Sequence, residues 1–443
     1  MGDLGHTRQD DSGESAAPSS SSAPASPTPK RSSTEGRVAW KVDAPKVADP
    51  EGRTVSARGA WLSGTAYATG VSNAVTGYDT ATGRARWSVP LDGDICAASP
   101  TRSSKGLVAV SYRDGKELKS PCTKFVVIDI TKGGVVWQST LKTVIGPLGL
   151  SMTVALTDRV AAIGWPTFGS KATAAGGSFG FEPATGKTIW NAPADGCESD
   201  EHTGGTVLVT HSLCAGDFEN GTHRVGHRDP STGKTSWLYR VQAADTWITS
   251  VDPLVVGVDT GLPEHDAPSR LISLSPKGRV QATWKVEDVY DTGCGGQRRQ
   301  CGGVLATADT LYLATHKAGG PDSIHAFDTL TGKRKWSFTP DTERSRTMIP
   351  VQTDGGGLIV HMLPTSSLGG EVLRLAEADG TATLLMKLPD PEGFGADTPD
   401  SQMMDADVDE PLYYEDQTLF KHIHGSFDHD FIGAPMTIAL TSR

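Results

Sequence analysis

The side chains best suited to chemistry are six cysteines, a histidine-rich stretch near the C-terminus and a few charged clusters. Cys96 and Cys122, Cys197 and Cys214, and Cys294 and Cys301 fall into three local couples. Read as disulfides, they place the chain in an oxidising compartment. The alternatives are free thiols or a zinc site at Cys294 and Cys301. No Cys-x-x-Cys motif or second ligand pair accompanies that couple at zinc spacing. His422, His424 and Asp428, with His429 beyond them, could hold a transition metal, and surface histidines in a loop explain the same residues. Asp405, Asp407, Asp409 and Glu410 begin like a calcium loop, but Glu410 stands where the sharp-turn glycine is needed, which leaves a solvated acidic loop. Arg298 and Arg299 sit between Cys294 and Cys301 and could meet an anion or an acidic partner, or simply confer solubility. His202, His211, His223 and His227 are spread without ligand spacing and read as incidental. The sequence contains no glycine-rich phosphate loop.

The elements that must position these residues repeat along the chain. Tyr78-Asp79 followed by Gly83 and Trp87 recurs as Ile128-Asp129, Gly133 and Trp137, and as Phe181-Glu182, Gly186 and Trp190. It returns as Arg228-Asp229, Gly233 and Trp237, and as Phe327-Asp328, Gly332 and Trp336. A looser copy has Gly278 and Trp284, and a worn one has Gly380 with Leu384 in the tryptophan slot. A half copy, Gly36 with Trp40, stands first, with no strand ahead of it. Successive glycines are about 50 residues apart, the period of a four-stranded propeller blade.

Each part of the motif has a physical task. The acid ends a strand and can accept from backbone N–H groups two residues on. Glycine supplies the positive φ that closes the hairpin. Trp40, Trp87, Trp137, Trp190, Trp237, Trp284 and Trp336 are large apolar bodies with one N–H to place, suited to docking each blade on the next. Short β-branched runs such as 107–112, 254–258 and 358–361 supply the strands between motifs. The expected fold is all-β, an eight-bladed propeller of four-stranded antiparallel blades over residues 36–443. Residues 396–443 hold strand-like runs but no strand leading from a glycine to a tryptophan. Strand 36–42 can supply the missing one and close the ring, leaving no raw edge.

The acid-x-x-Thr-Gly-x-x-x-Trp signature, with Gly77, Gly180 or Ala326 two residues ahead of the acid, resembles the PQQ-like β-propeller repeat family. That family includes quinoprotein alcohol dehydrogenases and non-enzymatic outer-membrane assembly lipoproteins. Its dehydrogenases usually carry two adjacent cysteines, a catalytic aspartate and a calcium or lanthanide ligand set. This sequence has no adjacent cysteine pair and no recognisable calcium motif, so the resemblance implies the non-enzymatic branch, without PQQ or calcium. A PQQ-dependent alcohol or sugar dehydrogenase is the alternative.

Composition sets the surroundings. A net charge of −11 without basic clusters argues against a nucleic-acid partner. No run reaches the about 18 apolar residues that a spanning helix needs. Residues 1–35 are rich in Ser, Pro and Ala, cannot bury enough surface to order themselves, and read as a disordered tether. No signal-peptide core follows Met1, so either an export signal or anchor lies upstream of this start or the protein is cytoplasmic, which would require free thiols. The expectation is a monomeric, extracytoplasmic, non-catalytic scaffold that presents loops on one face to a protein, a glycan or a small ligand.

Overall fold

The computed structural model describes residues 33–45, 55–117, 119–141, 152–165, 176–193, 197, 201–214, 221–260, 267–294, 301–316, 322–341, 346–365, 368–389, 411–427 and 435–443. These form eight antiparallel sheets. Seven are built from consecutive strands within residues 55–90, 95–140, 153–193, 201–243, 245–285, 290–338 and 348–387, numbered here as blades 1 to 7. Blade 8 takes Leu412–Glu415, Thr418–His422 and Pro435–Thr441 from the C-terminal region and Arg37–Asp43 from the N-terminal region as its outermost strand.

The closing strand pairs antiparallel with Pro435–Thr441, with Arg37 opposite Thr441 and Lys41 opposite Ile438. The expected closure is therefore present, shifted by one residue from 36–42. It also grips blade 7: Gly36 N donates to Lys387 O at 2.7 Å, and Lys387 N donates to Thr34 O at 2.7 Å. On the inner side of the ring, the Tyr413 hydroxyl of blade 8 donates to Ala60 O of blade 1 at 2.7 Å.

Two blades exceed four strands. Gly425–Phe427 adds to the inner edge of blade 1 through Val55–Ser63, and blade 6 has two short inner strands, Tyr290–Asp291 and Val304–Ala306. The first arises because the chain leaving His422 must pass the seam before returning to Pro435, and an open strand edge lies beside its path.

An apolar cluster fills each seam between blades. Ile359, Val372, Leu419 and Ile438 lie between blades 7 and 8. Trp40, Leu62, Tyr67 and Phe420 lie between blades 8 and 1. Alternate residues of the second strands therefore face opposite neighbours, as period-two geometry requires. Leu419 turns toward blade 7 and Phe420 toward blade 1.

The tryptophans work as blade wedges, and each docks on the motif glycine of the following blade rather than on its own. A Cβ on Gly186 of blade 3 would fall 2.6 Å from the Trp137 ring of blade 2. The same relation links Trp40 to Gly83, Trp87 to Gly133, Trp190 to Gly233, Trp237 to Gly278 and Trp336 to Gly380. Trp284 and Gly332 are looser, at 3.9 Å. Five indoles also donate to a carbonyl of the receiving turn: Trp40 to Thr80 at 2.9 Å, Trp137 to Pro183 at 2.8 Å, Trp190 to Pro230 at 3.0 Å, Trp237 to Pro276 at 2.8 Å and Trp336 to Glu377 at 2.8 Å. Leu384 replaces tryptophan in blade 7 because blade 8, split between the two ends of the chain, has no third-to-fourth hairpin turn to receive one.

Candidate functional site

The two faces of the ring differ in construction. On one face, first-to-second and third-to-fourth strands are joined by tight turns, none longer than residues 99–106. Asp229 shows how these turns are locked. Its carboxylate accepts from Ser231 N at 2.8 Å and Thr232 N at 3.1 Å, while Gly233 closes the turn at φ +69°. The Ser231 hydroxyl and these amides hold the Asp229 carboxyl below its ordinary value. The Thr331 hydroxyl and amide do the same for Asp328.

The opposite face carries the strand ends that flank the second-to-third connections and the blade-to-blade crossings, where successive strands stop and resume as far apart in sequence as Thr140 and Thr153, or Lys387 and Leu412. All three disulfides lie there. Cys96 opens blade 2 and is bonded to Cys122, just ahead of that blade's third strand. Cys197, ahead of blade 4, is bonded to Cys214, just after its second strand. Cys294 and Cys301 close the crossing into blade 6. The local pairing read from the sequence is the pairing present, and no cysteine is free.

The other expected site residues scatter. Arg298, Arg299 and Asp428 lie outside the described residues, as do Asp405, Asp407, Asp409, Glu410 and His429. His422 is fully buried, with Nδ1 2.9 Å from Thr437 Oγ1. Burial, and then the nearby His424, push its imidazole down to about 3. His424 is half-buried two residues on. His361 is also fully buried, and burial with Lys421 and Arg346 nearby holds it well below its ordinary value.

Blade 4 gathers a constellation that linear spacing conceals. Glu201, His211 and His223 come from three strands, and Thr246 comes from the first strand of blade 5. Antiparallel register sets Glu201 opposite His211 and His211 opposite Val225, so both histidines point into the same seam. A sequence signal exists only in hindsight: the two histidines flank one hairpin connection at matching parity.

A cleft of about 200 Å³ opens on the tight-turn face at the closing seam, lined by Arg37, Leu62, Thr80, Asp416 and Phe420 among others. Its volume is below the about 300 Å³ at which small-molecule pockets begin.

Residues 31–285, more than half of the chain, match the family profile described as outer membrane protein assembly factor BamB. The chain belongs to this family. Among solved structures, BamB from Moraxella catarrhalis aligns at 13% identity and TM-score 0.47, covering 90% of this chain and 98% of that one. The quinohemoprotein alcohol dehydrogenase of Comamonas testosteroni aligns at 12% identity and TM-score 0.52, covering 92% and 77%. A europium-containing methanol dehydrogenase aligns at 11% and 0.50, covering 92% and 93%. At these identities the likeness concerns fold. No curated protein matches by sequence.

The BamB-type and dehydrogenase propellers share the scaffold, so the residues must be tested against the dehydrogenase cofactor. In this chain all six sulfurs are committed to cross-strand or loop disulfides. Among the described residues, no three His, Cys, Asp or Glu side chains converge as a cation site. The paired cysteines stand 26, 17 and 7 residues apart rather than adjacent in sequence.

Proposed function

We propose that this BamB-type propeller is a non-catalytic, extracytoplasmic binding scaffold that uses its long-loop face to hold a protein or glycan partner. The carrying observation is the asymmetry of the ring: every disulfide staples the face with long connections, and the other face is made of short, internally capped turns. Disulfides limit the conformational entropy that long loops would lose on binding, which is what a recognition surface requires. They also require an oxidising compartment.

The test is capture of partners from an envelope fraction by the folded, disulfide-intact chain. Arg298→Glu with Arg299→Glu reverses charge on the stapled crossing, and Arg84→Glu with Lys333→Glu does so on the opposite face. The proposal expects the first pair to weaken capture at least tenfold and the second to leave it unchanged; the reverse pattern would reject it. A thermal shift or dye reduction with PQQ and Ca2+ would overturn the non-catalytic reading.

A further inference from the structure

The outermost strand of blade 4, Thr235–Ala243, ends its sheet, and among the described residues no strand pairs with its outer edge. It is nine residues long, whereas the outermost strands of the other blades run from five to seven. Alternate residues of an edge strand turn both N–H and C=O away from their own sheet, where another strand can pair with them. Folded proteins guard such edges with proline or with several charges. Ala85–Pro90 and Thr188–Pro193 end on proline, and Arg37–Asp43 carries three charged residues. Thr235–Ala243 has no proline and a single charged residue, Arg240.

That one charge is unbalanced. Arg240 stands directly opposite Arg224 of the neighbouring strand, and like charges so placed repel. Opposite residues share a face, and this face looks toward blade 3. Arg228, at the same parity as Arg224, lies 5.5 Å over the Trp190 ring of blade 3 and donates to Ser178 Oγ at 3.2 Å. The other face, with Val225 and Val241, packs on Ile248 and Val256 of blade 5. Among the described residues neither Arg224 nor Arg240 has a carboxylate partner, and Arg224 Nε is buried without a hydrogen bond. Two residues from Arg240 on the same face, Leu238 is 41% exposed.

We propose that Thr235–Ala243 receives an extended acidic segment of a partner protein as an added strand, with a carboxylate opposite Arg240 and an apolar side chain two residues away opposite Leu238. Backbone pairing along the edge supplies affinity, and the side-chain alternation supplies selectivity. An added strand sets its side chains about 4.5–5.5 Å from those they oppose, close enough for an ion pair. The carboxylate then gives the two arginines the counter-charge they lack, and a cationic segment is repelled. A second copy of the chain fits less well, because this strand contains no carboxylate to offer Arg240 in an edge-to-edge pairing. The surface lies on the outer wall of the ring rather than among the long connections, so it does not rest on the scaffold reading above.

The probe is an end-blocked peptide, Thr-Val-Thr-Val-Thr-Glu-Thr-Val-Thr, added to the disulfide-intact full chain and followed by amide hydrogen exchange. Its glutamate has a valine two residues away on either side, so the pattern fits in both strand directions. The expected result is protection of amides within 235–243 at about 1 mM peptide or below. A peptide with lysine in place of glutamate should bind about tenfold more weakly. Arg240→Glu should reverse that preference, a charge swap that a merely structural role would not produce. N-methylation of alternate peptide residues should abolish binding for one set and spare it for the other, since only one edge of the peptide pairs. Val136→Lys, on the equally long-lived but uncharged edge Gly134–Thr140 of blade 2, should change nothing. No protection of 235–243, an unaltered preference in Arg240→Glu, or binding lost in Val136→Lys would each overturn the site. Sedimentation as a dimer, with the same amides protected before peptide is added, would assign the edge to a second copy and overturn it as well.

Discussion

Replacing Trp40 by alanine tests ring closure at a single side chain. Trp40 is 7% exposed, donates to Thr80 O of blade 1, and stacks near Tyr78 at 6.5 Å and Phe420 at 5.9 Å. It is the only wedge whose strand comes from the opposite end of the chain. Truncating a buried tryptophan to alanine costs about 3–5 kcal/mol. Net stabilities run about 5–15 kcal/mol, so the substitution removes a large fraction of what holds the ring shut. Deleting Arg37–Asp43 removes in addition every ladder bond to Pro435–Thr441 and exposes that strand as an edge. Urea unfolding should show a lowered midpoint for Trp40→Ala and a further drop for the strand deletion. Hydrogen exchange should show the Thr437–Thr441 amides losing protection first. Deleting residues 1–30, which contain little apolar material, should shift neither readout. If the strand deletion and the 1–30 deletion unfold at the same urea concentration, closure by the N-terminal strand is wrong.

Three further outcomes follow from the same structure. Gly186→Ala places a Cβ against the Trp137 ring at a position with φ +72°, whereas Gly64→Ala, at φ +57°, meets nothing within 4 Å. Gly186→Ala should therefore cost about 2 kcal/mol or more and Gly64→Ala about 1, measured by thermal unfolding. His422 titrates near 3 when folded, below its ordinary 6.5, so the unfolded chain takes up the proton first and stability falls as pH drops below about 6.5. Between pH 6.5 and 4.5 the loss from this residue is about 2–3 kcal/mol, His361 acts in the same direction, and His422→Gln should flatten that limb of the stability–pH curve. Chain-entropy arithmetic on closed loops of 26, 17 and 7 residues gives about 3.5, 3 and 2 kcal/mol, so removing the Cys96–Cys122 pair should lower the urea midpoint most and the Cys294–Cys301 pair least.

Much of the scaffold was readable along the chain, because a propeller blade is a local object. Its strands, its capped turn and its tryptophan lie within one period of the repeat, and hydrophobic alternation with Asp, Gly and Trp at set offsets marks each of them. Even closure was legible as a shortage at one end matched by a surplus at the other. The cysteine couples were local for the same reason.

What the chain concealed lies between blades, where residues remote in sequence meet. Which glycine receives each tryptophan depends on ring packing, and the missing tryptophan of blade 7 is understandable only once blade 8 is seen to lack the receiving turn. The grouping of the disulfides on one face needs the strand directions. The meeting of His211, His223 and Thr246 requires both the register of two strand pairs and the seating of blade 5 on blade 4. Periodicity along a strand records which face a side chain takes, but not what waits across the seam, and that is where buried polar atoms find or fail to find their partners.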